Sequence, residues 1–192
     1  MKSSVLPSAG ALFETLDEQV AAQALEEIDP KLHAGILHSL DKERVAEILD
    51  EMEPDAAADL LNSLEEHESD EILEEMDDEP AADVEELLEY PEDTAGGMMT
   101  NYFLAVQQDA TVEAAITAMR EHDYLAKSLT HVFLVDDLER LVAAVPIGRL
   151  FLNGPDQPLR PLAFRETPRV DLEAERSRVI EIFDKYNCYS LP

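Results

Sequence analysis

A twelve-residue period governs the first half of this chain. The segments FETLDEQVAAQA (13–24), LEEIDPKLHAGI (25–36), LHSLDKERVAEI (37–48), LDEMEPDAAADL (49–60), LNSLEEHESDEI (61–72) and LEEMDDEPAADV (73–84) align without a gap. Each opens with Leu or Phe, has Leu, Ile or Met fourth, Asp or Glu fifth, and an apolar residue twelfth. Six copies in one register mark an array of like units rather than one irregular domain. Within a unit, Val45, Ile48, Leu49 and Met52 fall at i, i+3, i+4 and i+7, a single apolar stripe on a helix. Asp29-Pro30 and Glu53-Pro54 read as helix starts, because an acid suits the exposed N–H groups there and proline tolerates the first turn. Each unit therefore predicts a helix of about three turns and a sharp reset. One such helix cannot bury its stripe alone, whereas stacked neighbours can, so the array predicts a short α-superhelix. Ala21, Ala22, Ala34, Ala46, Ala57, Ala58, Ala81 and Ala82 occupy the ninth and tenth positions, where small side chains admit close helix approach.

Charge narrows the function. The chain carries 44 acids and 14 Lys or Arg, a net of −30. Residues 1–97 hold 30 acids and 4 bases, and no Lys or Arg occurs between Arg44 and Arg120. From Asn62 to Asp93, half of the 32 residues are acidic. Such a surface excludes nucleic acid and anionic lipid as partners, since both demand clustered cations. Asp55 and Asp59, Glu43 and Glu47, and Glu79 and Asp83 are each four apart, so each pair projects from one helix face. A solvated face normally mixes signs; here the missing counter-charges point to a dissolved cation. All-oxygen ligation fits Mg²⁺ or Ca²⁺ rather than Zn²⁺, and the missing EF-hand pattern leans toward Mg²⁺. Hydrophobic residues nevertheless make up 45% of the chain, enough for a packed core.

Tyr90-Pro91 closes the repeats, Gly96-Gly97 marks a bend, and a different pattern follows. Phe103, Ala105 and Val106 predict a strand. Thr111 caps a helix to about His122, with Val112, Ala115, Ile116 and Met119 inward. Val132–Val135 and Leu141–Val145 predict two strands joined by a turn at Asp136-Asp137, and Ile147–Leu152 another short helix. The order is β-α-β-β-α. It then restarts, with a strand at Arg169-Val170 and a helix from Glu173 to about Tyr186 that turns Val179, Ile180 and Phe183 inward. The sequence stops where the next strand is due. The fold class is thus mainly α with an α+β part, divided into an acidic helical domain over 10–97 and a second module over 98–192. That module splits into a first motif over 98–160 and an incomplete second over 161–192.

Two tandem β-α-β-β-α units resemble a pair of CBS motifs. The junction YPEDTAGGMMT after acidic helical repeats resembles the cytosolic region of MgtE magnesium transporters, through Tyr90, Pro91, Ala95, Gly96, Met99 and Thr100. EMEPDAAADLL resembles that family's acidic helix start. The resemblance implies a Mg²⁺-sensing regulatory region, in which ions held between the N-terminal and CBS domains favour a closed pore. It carries over Asp55, Asp59, Glu92 and Asp93 as metal ligands. It also implies a homodimer through the CBS module and a place on the cytosolic face of the inner or plasma membrane. The sequence departs from the family in having no membrane domain and in ending within the second motif, before the acids expected late in it. Asp136, Asp137 and Glu139 are poorer substitutes, and Ala143 stands where CBS strands often have Gly.

Other readings have less behind them. The five histidines lack metal-ligand spacing, and the single cysteine, Cys188, has no activating neighbour in sequence and suits a reducing, cytoplasmic setting. Phosphate-binding glycine loops and nucleophile elbows are absent, so no enzyme is expected. No apolar run is long enough to cross a bilayer. Two alternatives remain: an adenosine-nucleotide-binding CBS module, with Thr100 and Asp123 at its cleft edges, and an acidic scaffold for a basic protein.

Overall fold

The computed structural model describes residues 6–122, 125, 129–164 and 166–192. They form two compact units, one of residues 1–92 with 96–101, the other of 93–95 with 102–192.

Among the described residues, the first unit is a stack of seven helices: α1 (Leu6–Phe13), α2 (Glu18–Glu27), α3 (His33–Leu37), α4 (Lys42–Leu49), α5 (Pro54–Leu61), α6 (Glu66–Leu73) and α7 (Asp78–Leu88). The period sets their phase. The fifth-position acids Asp17, Asp41, Glu53, Glu65 and Asp77 are the N-caps of α2, α4, α5, α6 and α7. Asp29 caps the 3₁₀ turn Pro30–Leu32 that leads into α3, and its carboxylate accepts the Lys31 N–H. An acid at this place also meets the positive end of the helix dipole.

The helices α3, α4, α5 and α6 end on the next unit's first residue, and a tight turn closes each. Met52 N donates to Leu49 O at 3.0 Å, Leu64 N to Leu61 O at 3.0 Å and Met76 N to Leu73 O at 3.3 Å. That turn carries the fourth-position side chain back under the helix, so Met52 and Met76 are buried. Leu25, Leu37, Leu49 and Leu61 at the first position, and Ile36, Ile48, Leu60, Ile72 and Val84 at the twelfth, complete the core. A fully buried side chain of this kind contributes about 1.5–3 kcal/mol.

Most of the helices are shorter than the expected three turns, although α7 with 11 residues reaches them. Of the seven, α1, α4, α5 and α6 have eight residues; within the repeats the closing turn takes part of each unit. The second repeat gives only five helical residues in α3, its first turn being 3₁₀. Of the small residues, Ala21, Ala22, Ala46, Ala57 and Ala58 are buried as expected, whereas Ala82 faces outward. The extensive packing between helices is α1 on α3, α2 on α4, α4 on α6 and α5 on α7.

The second unit has a three-stranded sheet in the order β1 (Leu104–Gln107), β2 (His131–Val135), β3 (Leu141–Pro146). β1 and β2 run parallel, with Leu104 beside Val132, and are joined through α8 (Val112–Glu121). β2 and β3 are antiparallel, with Val132 beside Val145. Thr111 caps α8 through its hydroxyl, which accepts the Ala114 N–H. Asp136 shapes the hairpin: its Oδ1 accepts the N–H groups of Leu138 and Arg140, and its Oδ2 pairs with the Arg140 guanidinium. Leu104, Val112, Ala115, Leu125, Val132, Leu134, Ala143 and Val145 form the core. The short helix α9 covers Ile147–Leu150 and α10 covers Arg176–Tyr186.

Two expectations fail here. Ile180 is 54% exposed, and Ile182 instead is the buried residue of α10. The helix starts three residues later than the acid at Glu173 suggested, with Glu175 as N-cap, and its inward face carries Val179, Ile182 and Phe183. Arg169 and Val170 form no strand; Val170 N donates to Pro192 O at 3.1 Å and the pairing goes no further.

Candidate metal-binding surface

The acidic stretch 62–93 obtains part of its neutralisation from earlier repeats. His38 Nε2 lies 3.1 Å from Glu68 Oε2, and Lys42 forms an ion pair with Glu71. Arg44 Nη1 binds Glu18 at 2.6 Å and Glu47 at 2.9 Å. The Glu43/Glu47 pair is thus not bare: Arg44 sits against one member. The Glu79/Asp83 pair is different. Burial, then the neighbouring charges of Glu79 and Glu86, raises the Asp83 carboxyl above its ordinary value.

Asp55 and Asp59 share one face of α5, Asp55 in its first turn and Asp59 a turn later. Asp59 is exposed, while Asp55 is half-buried. Asp55 Oδ1 is shielded from solvent and finds no hydrogen-bond partner. A buried carboxylate oxygen without a donor is costly, and it is the arrangement that a hard cation relieves. Asp55 and Asp59 therefore fit oxygen ligation of Mg²⁺ or Ca²⁺.

Glu92 and Asp93 are both exposed and lie just after α7. They fall in different units: Glu92 closes the first, and Asp93 opens the second, where its carbonyl accepts Arg176 N at 2.9 Å. The four expected ligands therefore form two sequence pairs. Among the described residues, no group of three or more His, Cys, Asp or Glu converges as a metal set. Asp136 is committed to Arg140, and Asp137 and Glu139 are exposed in the hairpin.

Sequence reasoning missed a cavity of about 280 Å³ in the second unit, bordered by His131, Phe133, Phe164 and Ser190. Thr100 does not line it, and Asp123 lies outside the described residues. HVFLV read only as a strand, since β alternation predicts which residues leave the core but not that they border a hollow.

Residues 6–93 match the family model of the MgtE intracellular N domain. The magnesium transporter MgtE of Bacillus subtilis (strain 168) is 26% identical over 106 residues, which cover 55% of this chain and 24% of that protein. The chain thus spans about a quarter of the length of the curated relative. The crystal structure of the cytosolic domain of the Mg²⁺ channel MgtE in complex with ATP superposes with a TM-score of 0.87 at 26% identity, covering 95% of this chain and 75% of that one. A cystathionine beta-synthase pair domain from Shewanella oneidensis MR-1 superposes with a TM-score of 0.51 at 19% identity over 75% of this chain and 83% of its own, a likeness of fold. Among the described residues, no helix is long and apolar enough to cross a membrane.

Proposed function

Since residues 6–93 match the family model of the MgtE intracellular N domain, we propose that this chain is the Mg²⁺-sensing cytosolic regulatory region of a magnesium transporter. The observation that carries the reading is the shielded, unpartnered Oδ1 of Asp55, one turn from Asp59 in a stretch with no Lys or Arg from residue 45 to 119. Asp55, Asp59, Glu92 and Asp93 supply carboxylate oxygens; the cation supplies the positive charge that the sequence omits. With Mg²⁺ bound, the acidic helical domain (10–97) and the CBS module (98–192) are held together and the pore is favoured closed. When Mg²⁺ falls, like charges separate them. The switch is a two-state arrangement biased by differential ion binding, and it works through several weak sites rather than one tight one. The region acts as a homodimer through its CBS module and performs no catalysis.

The test is thermal unfolding in millimolar MgCl₂ and CaCl₂ against KCl at matched ionic strength. An ion that binds only the folded form adds RT ln(1 + [L]/Kd), about 1.4 kcal/mol at ten times Kd. The expected result is a rise in Tm with MgCl₂ beyond that with KCl. Equal rises would mean charge screening alone and would sink the proposal.

A further inference from the structure

The segment that follows α9 reads Phe151-Leu152-Asn153-Gly154-Pro155, and Asn153 is the one asparagine of the chain that a glycine follows. That pairing has a chemistry of its own. A backbone nitrogen can attack the side-chain carbonyl of the asparagine before it, which makes asparagine thermolabile. A β-carbon on the attacking residue obstructs the approach. Glycine has none, and its backbone turns freely.

Local structure leaves the reaction open. Asn153 and Gly154 are exposed and lie outside every helix and strand. Nothing stands within 4 Å of the place a Cβ would take on Gly154. Among the described residues, no backbone carbonyl accepts the Gly154 N–H, so the attacking nitrogen is not held in a ladder or turn. Asn62 is the contrast: the nitrogen after it, Ser63 N, donates to Leu60 O at 3.0 Å. One restraint acts on Asn153, whose Nδ2 donates to Arg149 O at 2.7 Å. A single exposed hydrogen bond slows the reaction by no more than about tenfold.

The surroundings make the product matter. Just beyond the pair, Pro155 O accepts Glu113 N and Gln157 O accepts Val112 N, both at 3.0 Å. These are the first N–H groups of α8, which no carbonyl inside the helix can satisfy. Val112 itself is buried in the core of the second unit. The loop that carries Asn153 therefore also supplies the acceptors on which α8 begins.

We infer that Asn153-Gly154 is a self-modifying site whose conversion loosens the start of α8. The Gly154 nitrogen gives its proton to solvent base and bonds to Asn153 Cγ. The Cγ–Nδ2 bond breaks, the nitrogen leaves as ammonia, and a succinimide ring remains. Water then opens the ring at either carbonyl and leaves an aspartyl or an isoaspartyl residue at position 153. Water is the only co-reactant, and nothing is oxidised or reduced. Either product sets an ionised carboxylate, an acceptor without a donor, against the Arg149 carbonyl. The isoaspartyl form also lengthens the main chain by one carbon beside Pro155, which displaces the carbonyls that hold Val112 and Glu113.

The experiment ages the full chain in warm buffer at neutral and at mildly alkaline pH. Peptide mapping by mass spectrometry reads the amide-to-acid mass gain at each asparagine, and chromatography separates isoaspartyl from aspartyl peptides. Asn153 should convert at least about tenfold faster than Asn62, and faster at the higher pH, while the Tm of the ageing chain falls. Gly154→Ala, which has open space to fill, should slow the conversion at least about tenfold and preserve Tm. If that variant does not fold, Asn153→Gln carries the test, since its longer side chain closes the ring poorly and its Tm should survive ageing. Conversion at Asn153 no faster than at Asn62 overturns the inference. So does a rate unmoved by Gly154→Ala, a converted chain that melts like the fresh one, or Asn153→Gln losing Tm as the parent does. No arm contains Mg²⁺, so this inference and the sensor reading fail separately.

Discussion

The carboxylate of Asp50 accepts the backbone N–H of Asp77 at 3.1 Å, fastening the end of α4 to the start of α7 across 27 residues. Two acids meet there, and no base offsets them. Burial first, and then the charges of Asp77, Glu51 and Glu47, hold the Asp50 carboxyl above its ordinary value, although the Asp77 N–H pulls the other way. A raised carboxyl binds more protons folded than unfolded, so its contribution to stability falls as pH rises through the folded value. Asp50→Asn keeps an acceptor oxygen without the charge. Its Tm should exceed the parent's at pH 7, and the difference should shrink toward pH 4. Melts across that range read it; a difference independent of pH would rule out this role for Asp50.

Arg44 is only 12% exposed and binds Glu18, Glu47 and the carbonyls of Phe13 and Leu16. It ties the α1–α2 connection to α4. Arg44→Ala leaves those carbonyls short of a donor and should cost about 2–3 kcal/mol in urea unfolding. Arg44→Lys restores charge without the planar fork, so it should recover less than half of the loss.

Asp55 separates a structural role from ligation. Removing a shielded oxygen that has no donor relieves a penalty, so Asp55→Ala should not lower Tm in EDTA. In MgCl₂ the same variant should lose most of the ion-specific rise, and Asp55→Ala with Asp59→Ala nearly all of it. A full rise in the double variant would remove both residues from the ligand set.

Gly97 is fixed by close approach. A Cβ there would stand 2.2 Å from the Pro91 carbonyl oxygen and 2.7 Å from its carbon, both backbone atoms with little room to yield. Gly97→Ala should destabilise the first unit by about 1–3 kcal/mol, read by chemical unfolding. Gly148→Ala is the control: nothing lies within 4 Å of its Cβ position.

The repeats were legible because one residue type does one job at one phase. The acid at the fifth position stands at the N-cap, and the apolar residues at the first and twelfth positions pack, so the pattern announces both. The β2–β3 pair was legible through its β-rich runs and the turn at Asp136. The inward face of α10 was legible only in part: Val179 and Phe183 share it with the buried Ile182, whereas Ile180 lies about 200° from Ile182 on the helical wheel and is exposed. Asp55 was picked out by its spacing of four from Asp59 and by the family resemblance of EMEPDAAADLL, but only coordinates reveal that one of its oxygens lacks a donor. The cavity was hidden because His131 and Ser190 are 59 residues apart and neither belongs to a recognisable motif.

The pairing of α2 with α4, α4 with α6 and α5 with α7 gives the superhelix a parity. The even-numbered helices α2, α4 and α6 pile in one column, and the odd-numbered side pairs α1 with α3 and α5 with α7. Excising a single twelve-residue unit would send every later helix into the opposite column, against strangers. Excising two would shorten both columns by one storey and leave every survivor with neighbours of its own kind. Change in the length of such a domain should therefore come in steps of 24 residues, as a staircase with two treads to the turn.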